Sequence, residues 1–291
     1  ELCRTFRADR LLSLTDTSLI KAPVPHALLV QQAYLAYALG ELNDRLPSRF
    51  RRKIEMMSAY MRLGLRHVDH ITVQTEHMKS AFVSRWGVNP ERVTVIPSAI
   101  QPAAAARAMS GREAPDDRHP YLIYVAGAGA LKNHRVLAEM MAALTTREPD
   151  LRCKLTVRRD DVPELVSRAT TLGCLDRFDF LGPTPSEETM ALLAHAQLSV
   201  MPSLLESFGI PYFEAMALGI PTVAADRPCA REALGDVGLF APANEGSAWA
   251  EAVCRALARR DQMAEQNIKR HSTLMGWPEI AEAYLKILRD L

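Results

Sequence analysis

Residues 201–223 read MPSLLESFGIPYFEAMALGIPTV. The apolar run entering this stretch, Leu198 to Met201, is short and stops at Pro202 and Ser203, which predicts a buried strand. Loop residues follow through Gly209, and residues 210–218 carry apolar side chains at helical spacing. Pro211 sits where the first turn of a helix needs no N–H, Gly219 stands where a left-handed C-cap is wanted, and Pro221 ends the turn. Residues 222–225 then read as a second strand. Strand, loop, helix and strand in so short a span predict a βαβ unit and hence a parallel sheet.

Two carboxylates bracket the loop-to-helix junction, Glu206 and Glu214, with seven residues between them. In open parallel sheets, ligands bind beyond the carboxyl ends of the strands, where a helix N-terminus offers N–H groups and a partial positive charge. A phosphate fits that end, and two acids remain to accept hydrogen bonds from hydroxyls. The residue types therefore point to a phosphorylated, polyhydroxylated ligand. They are equally compatible with a solvated loop acid and a helix acid favoured by the dipole.

ESFGIPYFE, followed by EAMALGIPTVAAD, resembles the E-x7-E signature of retaining glycosyltransferases of the GT-B fold, the glycosyl transferases group 1 family. The resemblance implies that Glu214 holds the ribose of a nucleotide and that Glu206 contacts hydroxyls of the donor sugar. It also implies that the backbone of Ser207, Phe208, Gly209 and Ile210 approaches the sugar and the diphosphate.

A second anchor lies upstream. Residues 121–126 read as a buried strand, and Gly127-Ala-Gly-Ala-Leu-Lys132-Asn133 leads from it into a helix with Val136, Leu137, Met140, Met141 and Leu144 inward. A glycine-containing loop there brings backbone amides close to a phosphate, and Lys132 adds a point charge. The family likeness implies that Lys132 contacts the diphosphate, with Gly127 and Asn133 beside the donor. Relatives usually place an arginine five residues before that lysine; here Gly127 occupies the position. Arg158 or Arg159, after the strand read at residues 151–157, is the expected substitute. Phe180-Leu181-Gly182 ends another strand, and the resemblance implies that this segment edges the nucleotide base. Glu232 completes the family's acidic segment at residues 226–233.

Composition bounds the rest. The chain has 291 residues, 48% hydrophobic and 24% charged, with a net charge of +1, so no global field favours nucleic acid. Cys3, Cys153, Cys174, Cys229 and Cys254 are scattered without C-x-x-C spacing, which argues against a disulfide framework or zinc site and suits a reducing, cytoplasmic compartment. No run approaches the roughly 18 apolar residues of a transmembrane helix. No D-x-D ends an apolar run, and P-loop, G-x-S-x-G and H-E-x-x-H motifs are absent. His67 and His70 lack further ligands and are given no role.

The N-terminal part reads as strands at residues 26–30, 71–74 and 92–96, with a helix at residues 76–86. The helix expected over Arg45–Arg66 carries seven basic residues against Glu55, with Phe50, Ile54, Met57, Met61 and Leu65 on one stripe. The stripe is expected to be a buried face; the basic outer face also suits peripheral contact with an anionic membrane. The segment at residues 71–100 again resembles the family, except that Ser98 and Ala99 stand where Asn-Gly is common.

The expected organisation is therefore α/β with GT-B architecture: two Rossmann-like domains whose parallel sheets face a cleft. Residues 1–103 form the acceptor-side domain, 104–119 a linker, 120–275 the nucleotide-sugar-binding domain, and 276–291 a helix crossing back to the first domain. Residue 1 is Glu, and the first domain has about a hundred residues where such a half is roughly 150–190, so it is expected to be incomplete and the chain a fragment. The family's polar group at the end of a middle strand falls near Gln31 and Gln32, neither of which serves as a base.

The expected activity is metal-independent transfer of a sugar, with retention, from a nucleotide diphosphate donor to a hydroxyl of a sugar or lipid-linked acceptor. Glu206 and Lys132 are the expected catalytic residues, and no cofactor is expected beyond the donor. Synthesis of bacterial surface polysaccharide or glycolipid is the expected setting. A non-catalytic nucleotide-sugar- or partner-binding module is the alternative if the chain is naturally this short.

Overall fold

The computed structural model describes residues 2–19, 21–100 and 119–291, so the linker expected at 104–119 lies outside the described residues except for His119. The chain divides into two compact units. One holds the described residues of Glu1–Ala99 with Glu206–Phe208 and Met275–Leu291, and the other those of Ile100–Leu205 and Gly209–Leu274.

In the first unit the elements run α1 (Leu2–Thr5), β1 (Leu11–Ser13), β2 (His26–Leu29), α2 (Ala33–Ala36), α3 (Ser48–Gly64), β3 (His70–Val73), α4 (Glu76–Trp86) and β4 (Val93–Val95). The strands lie in the order β1-β2-β3-β4, every pairing parallel. Strand β2 is buried along its length, as its uninterrupted apolar run requires of a parallel strand covered on both faces. Thr75 caps α4 by accepting the Met78 N–H at 3.0 Å. In the loop after β1, the buried Asp16 accepts N–H bonds from Gln31 and, at 2.7 Å, from Gln32, pinning the backbone at the end of β2.

Helix α3 is shorter than expected, because residues 65–67 tighten into a 3₁₀ turn. Ile54, Met61 and Leu65 of the expected stripe are buried, while Phe50 and Met57 are only half-buried. The outer face holds a second apolar row: Met56, Tyr60 and Leu63, spaced four and three residues apart, are exposed among the basic residues.

The second unit runs β5 (Tyr121–Tyr124), α5 (Val136–Ala143), β6 (Arg152–Leu155), α6 (Pro163–Thr171), β7 (Phe178–Phe180), α7 (Ser186–Ala194), β8 (Leu198–Met201), α8 (Ile210–Ala217), β9 (Thr222–Ala225), α9 (Pro228–Leu234), β10 (Leu239–Ala241), α10 (Gly246–Ala258) and α11 (Arg260–His271). Its six strands are ordered β10-β9-β8-β5-β6-β7, again all parallel. The chain builds outward from β5 to β7, then returns to the other side of β5 to lay down β8, β9 and β10. The order therefore reverses between β5 and β8, and a doubly wound sheet opens a crevice at that point.

The anticipated βαβ unit is β8-α8-β9, with Val200 opposite Val223. Gly219 follows α8 at φ +67°, and a β-carbon there would lie 3.1 Å from Ile268 of α11, so a turn and a close approach both demand glycine. Arg177 is buried just before β7. Its guanidinium donates to the carbonyls of Met141 at 2.8 Å, Glu148 at 2.5 Å and Leu151 at 2.7 Å, which satisfies groups left over where α5 ends. The last element, α12 (Trp277–Asp290), groups with the first unit.

Candidate active site at the switch point of the second sheet

The loops leaving β5 and β8 flank the reversal point, and the second unit ties them together directly. The Leu204 N–H donates to the Leu131 carbonyl at 2.8 Å. Tyr124, the last residue of β5 and 1% exposed, gives its hydroxyl proton to the Lys132 carbonyl at 2.9 Å. With that proton committed, it accepts from the Ser203 hydroxyl at 2.8 Å. Tyr124 and Ser203 were not singled out from sequence; an aromatic at a strand end and a loop serine carry no spacing signal.

Residues 127–130 are exposed, and a β-carbon at Gly127 would meet nothing within 4 Å, so this loop presents bare backbone to open space. Lys132 follows, half-buried. Asn133 is 8% exposed, adopts a left-handed φ of +52°, and donates a side-chain N–H to the Ala243 carbonyl at 2.7 Å. It shapes the loop, and asparagine tolerates that conformation better than most residues. His134 packs its ring 5.0 Å from that of Tyr124, and its buried Nε2 has no partner among the described residues. Burial, then the Lys132 charge, pushes its pKa down to about 4, so it is neutral at physiological pH.

Across the crevice, Gly209 begins α8 at φ +77°, a conformation that lets the chain turn sharply from loop into helix. Pro211 occupies the first turn, as expected. Glu214 lies one turn deeper than the opening turn. It is half-buried, its carboxylate has no hydrogen-bond partner among the described residues, and burial raises its pKa. A desolvated carboxylate without a donor is costly for the chain alone. Ile210 is 46% exposed at the same helix end. Glu206 and Ser207 are half-buried and Phe208 is buried; these three group with the first unit.

At the end of β7, Phe180 is half-buried and Leu181 exposed. The N–H groups of Leu181 and Gly182 donate to the Leu155 and Val157 carbonyls, at 2.9 and 3.1 Å, which leaves the Leu181 side chain as the exposed apolar surface of this edge. Among the described residues no group of three or more His, Cys, Asp or Glu side chains is placed to hold a metal ion.

Fold and sequence comparisons converge on one class. The solved structures it resembles include Anabaena Alr3699/HepE in complex with UDP and glucose, at a TM-score of 0.74 and 19% identity over 100% of this chain and 80% of that one. Another is WaaG, a glycosyltransferase involved in lipopolysaccharide biosynthesis, at a TM-score of 0.74 and 16% identity over 97% and 78%. The architecture is GT-B. The sequence profile of the family described as Glycosyl transferases group 1 matches residues 107–271, and the chain belongs to that family. Among curated relatives, D-inositol 3-phosphate glycosyltransferase of Nocardia farcinica is 29% identical over 238 residues, 75% of this chain and 52% of that protein. Its counterpart in Corynebacterium glutamicum is 27% identical over 247 residues, 77% of this chain and 58% of the other. The chain thus spans about half the length of the curated relatives it matches.

Proposed function

We propose that the protein is a glycosyltransferase that moves a sugar, with retention, from a nucleoside diphosphate donor to an acceptor hydroxyl, without a metal ion or further cofactor. The observation that carries this reading is the pairing, at one switch point, of a bare backbone loop with Lys132 and a helix start backed by the unpartnered Glu214. In this reading the loop amides, Lys132 and the α8 dipole take the diphosphate and stabilise it as it leaves. Glu214 accepts the ribose hydroxyls, Leu181 packs the base, and Glu206 orients the donor sugar.

The likeness to WaaG, a glycosyltransferase involved in lipopolysaccharide biosynthesis, supports a cell-surface polysaccharide or glycolipid as product. The exposed Met56, Tyr60 and Leu63 among Arg49, Arg52 and Lys53 support work at the inner, anionic face of a membrane from the cytoplasm. No helix among the described residues is long and apolar enough to cross one.

The test is turnover with a panel of nucleotide sugars and hydroxyl acceptors, in EDTA, with the anomeric configuration of the product read by NMR. Transfer that persists in EDTA and keeps the donor's configuration is expected. Inversion, or dependence on a divalent ion, would contradict the mechanism; binding without turnover would favour a nucleotide-sugar-binding module.

A further inference from the structure

We propose that Arg158 supplies, from the loop after β6, the second positive charge for the donor's diphosphate. This deepens the nucleoside diphosphate reading above and rests on it.

The argument begins with register. Strands β5 and β6 are parallel neighbours, and their last paired residues are Tyr124 and Leu155. Gly127 and Arg158 each lie three residues past that pair, on adjacent strands whose spacing is about 4.8 Å. The two loops stay laced beyond the sheet: the Ala126 N–H donates to the Thr156 hydroxyl at 3.0 Å, and that hydroxyl donates to the Ala126 carbonyl at 3.2 Å. The register therefore brings Gly127 and Arg158 to the same level past the carboxyl edges of adjacent strands, with Arg158 one strand over from the switch point.

Their chemistry is complementary. Gly127 has no side chain and faces open space, so the β5 loop contributes amides and room but no charge of its own before Lys132. Arg158 is exposed, and its guanidinium makes no hydrogen bond or ion pair among the described residues, although Asp160 and Asp161 follow closely. Its stem is seated: Cγ lies 3.5 Å from the β-carbon position of Gly182, which the Gly182 N–H bond to Val157 fixes at the end of β7. An arginine anchored along its stem with a free planar fork suits bidentate capture of a phosphate. Arg159, exposed, enters the short 3₁₀ turn after it.

The test is calorimetric titration with UDP, GDP and ADP, carrying forward the diphosphate bound most tightly and its parent nucleoside. The variants are Lys132→Ala, Arg158→Ala, Arg159→Ala, and Arg158→Ala combined with Gly127→Arg. Losing one charge-assisted contact weakens binding about tenfold or more. The expected result is that Lys132→Ala and Arg158→Ala each lose that much for the diphosphate, that Arg158→Ala leaves nucleoside binding unchanged, and that Arg159→Ala stays within about twofold of wild type. Gly127→Arg restores affinity in the Arg158→Ala background, because the open space at Gly127 lets the charge be returned from the neighbouring strand. Loss in Lys132→Ala with wild-type affinity in Arg158→Ala would overturn the role of Arg158 while leaving the donor reading intact. Failure of Gly127→Arg to rescue would likewise overturn it. Binding of none of the diphosphates, or indifference to Lys132→Ala, would instead sink the donor reading.

Discussion

Glu214 and His134 each keep a desolvated polar atom without a hydrogen-bond partner among the described residues. In the proposed role Glu214 accepts hydrogen bonds from the ribose hydroxyls as a carboxylate, and burial raises its pKa, so the nucleotide is expected to bind best above that raised value. Nucleotide affinity is expected to fall as pH drops toward it, and Glu214→Gln is expected to flatten the dependence; affinity versus pH by calorimetry checks both. For His134 the sign is opposite to that of a paired histidine. Its folded pKa of about 4 lies below the ordinary 6.5, so the unfolded chain binds the extra proton first. Stability is full above pH 6.5 and falls as pH drops toward 4, by roughly 3 kcal/mol. Urea unfolding of His134→Phe across that window is expected to show a shallower slope than wild type.

At the scale of elements, the Tyr124 hydroxyl and the Leu204–Leu131 bond hold two loops from different strands in one geometry. Tyr124→Phe leaves the Lys132 carbonyl and the Ser203 hydroxyl without this partner, at about 1–3 kcal/mol for a buried group. Denaturation is expected to show that loss, and Ser203→Ala added to Tyr124→Phe is expected to cost less than the two single losses summed, since both break one network. What the sequence made legible follows the same division. Gly219, Pro211 and the apolar runs punctuate locally, so the β8-α8-β9 unit could be read from one stretch. Asn133 could not, because its side chain answers to Ala243, far along the chain. Nothing in the sequence marks Arg177, which is buried among carbonyls that only the packed sheet brings together. Strand β1 is three residues long, too short for a period to declare itself. On α3 the outer row of Met56, Tyr60 and Leu63 shares the helical period of the inward stripe, and only exposure distinguishes it.

At the scale of the whole molecule, both units are parallel sheets, and the reversal of strand order between β5 and β8 is why the second is proposed as the nucleotide half. That sheet order depends on pairings distant in sequence, whereas the family signature is local; the two agree on the same edge. The central claim is that this edge binds a nucleoside diphosphate sugar. Thermal unfolding of the chain with UDP-, GDP-, ADP- and dTDP-glucose tests it most directly. At about a hundredfold excess over Kd, binding to the folded state is worth roughly 2.7 kcal/mol, or about 5 °C or more in Tm for a unit of this size. The expected result is a rise of that order with at least one donor, abolished in Glu214→Ala and Lys132→Ala. An unchanged Tm with every donor, or a rise that survives both substitutions, would contradict the account.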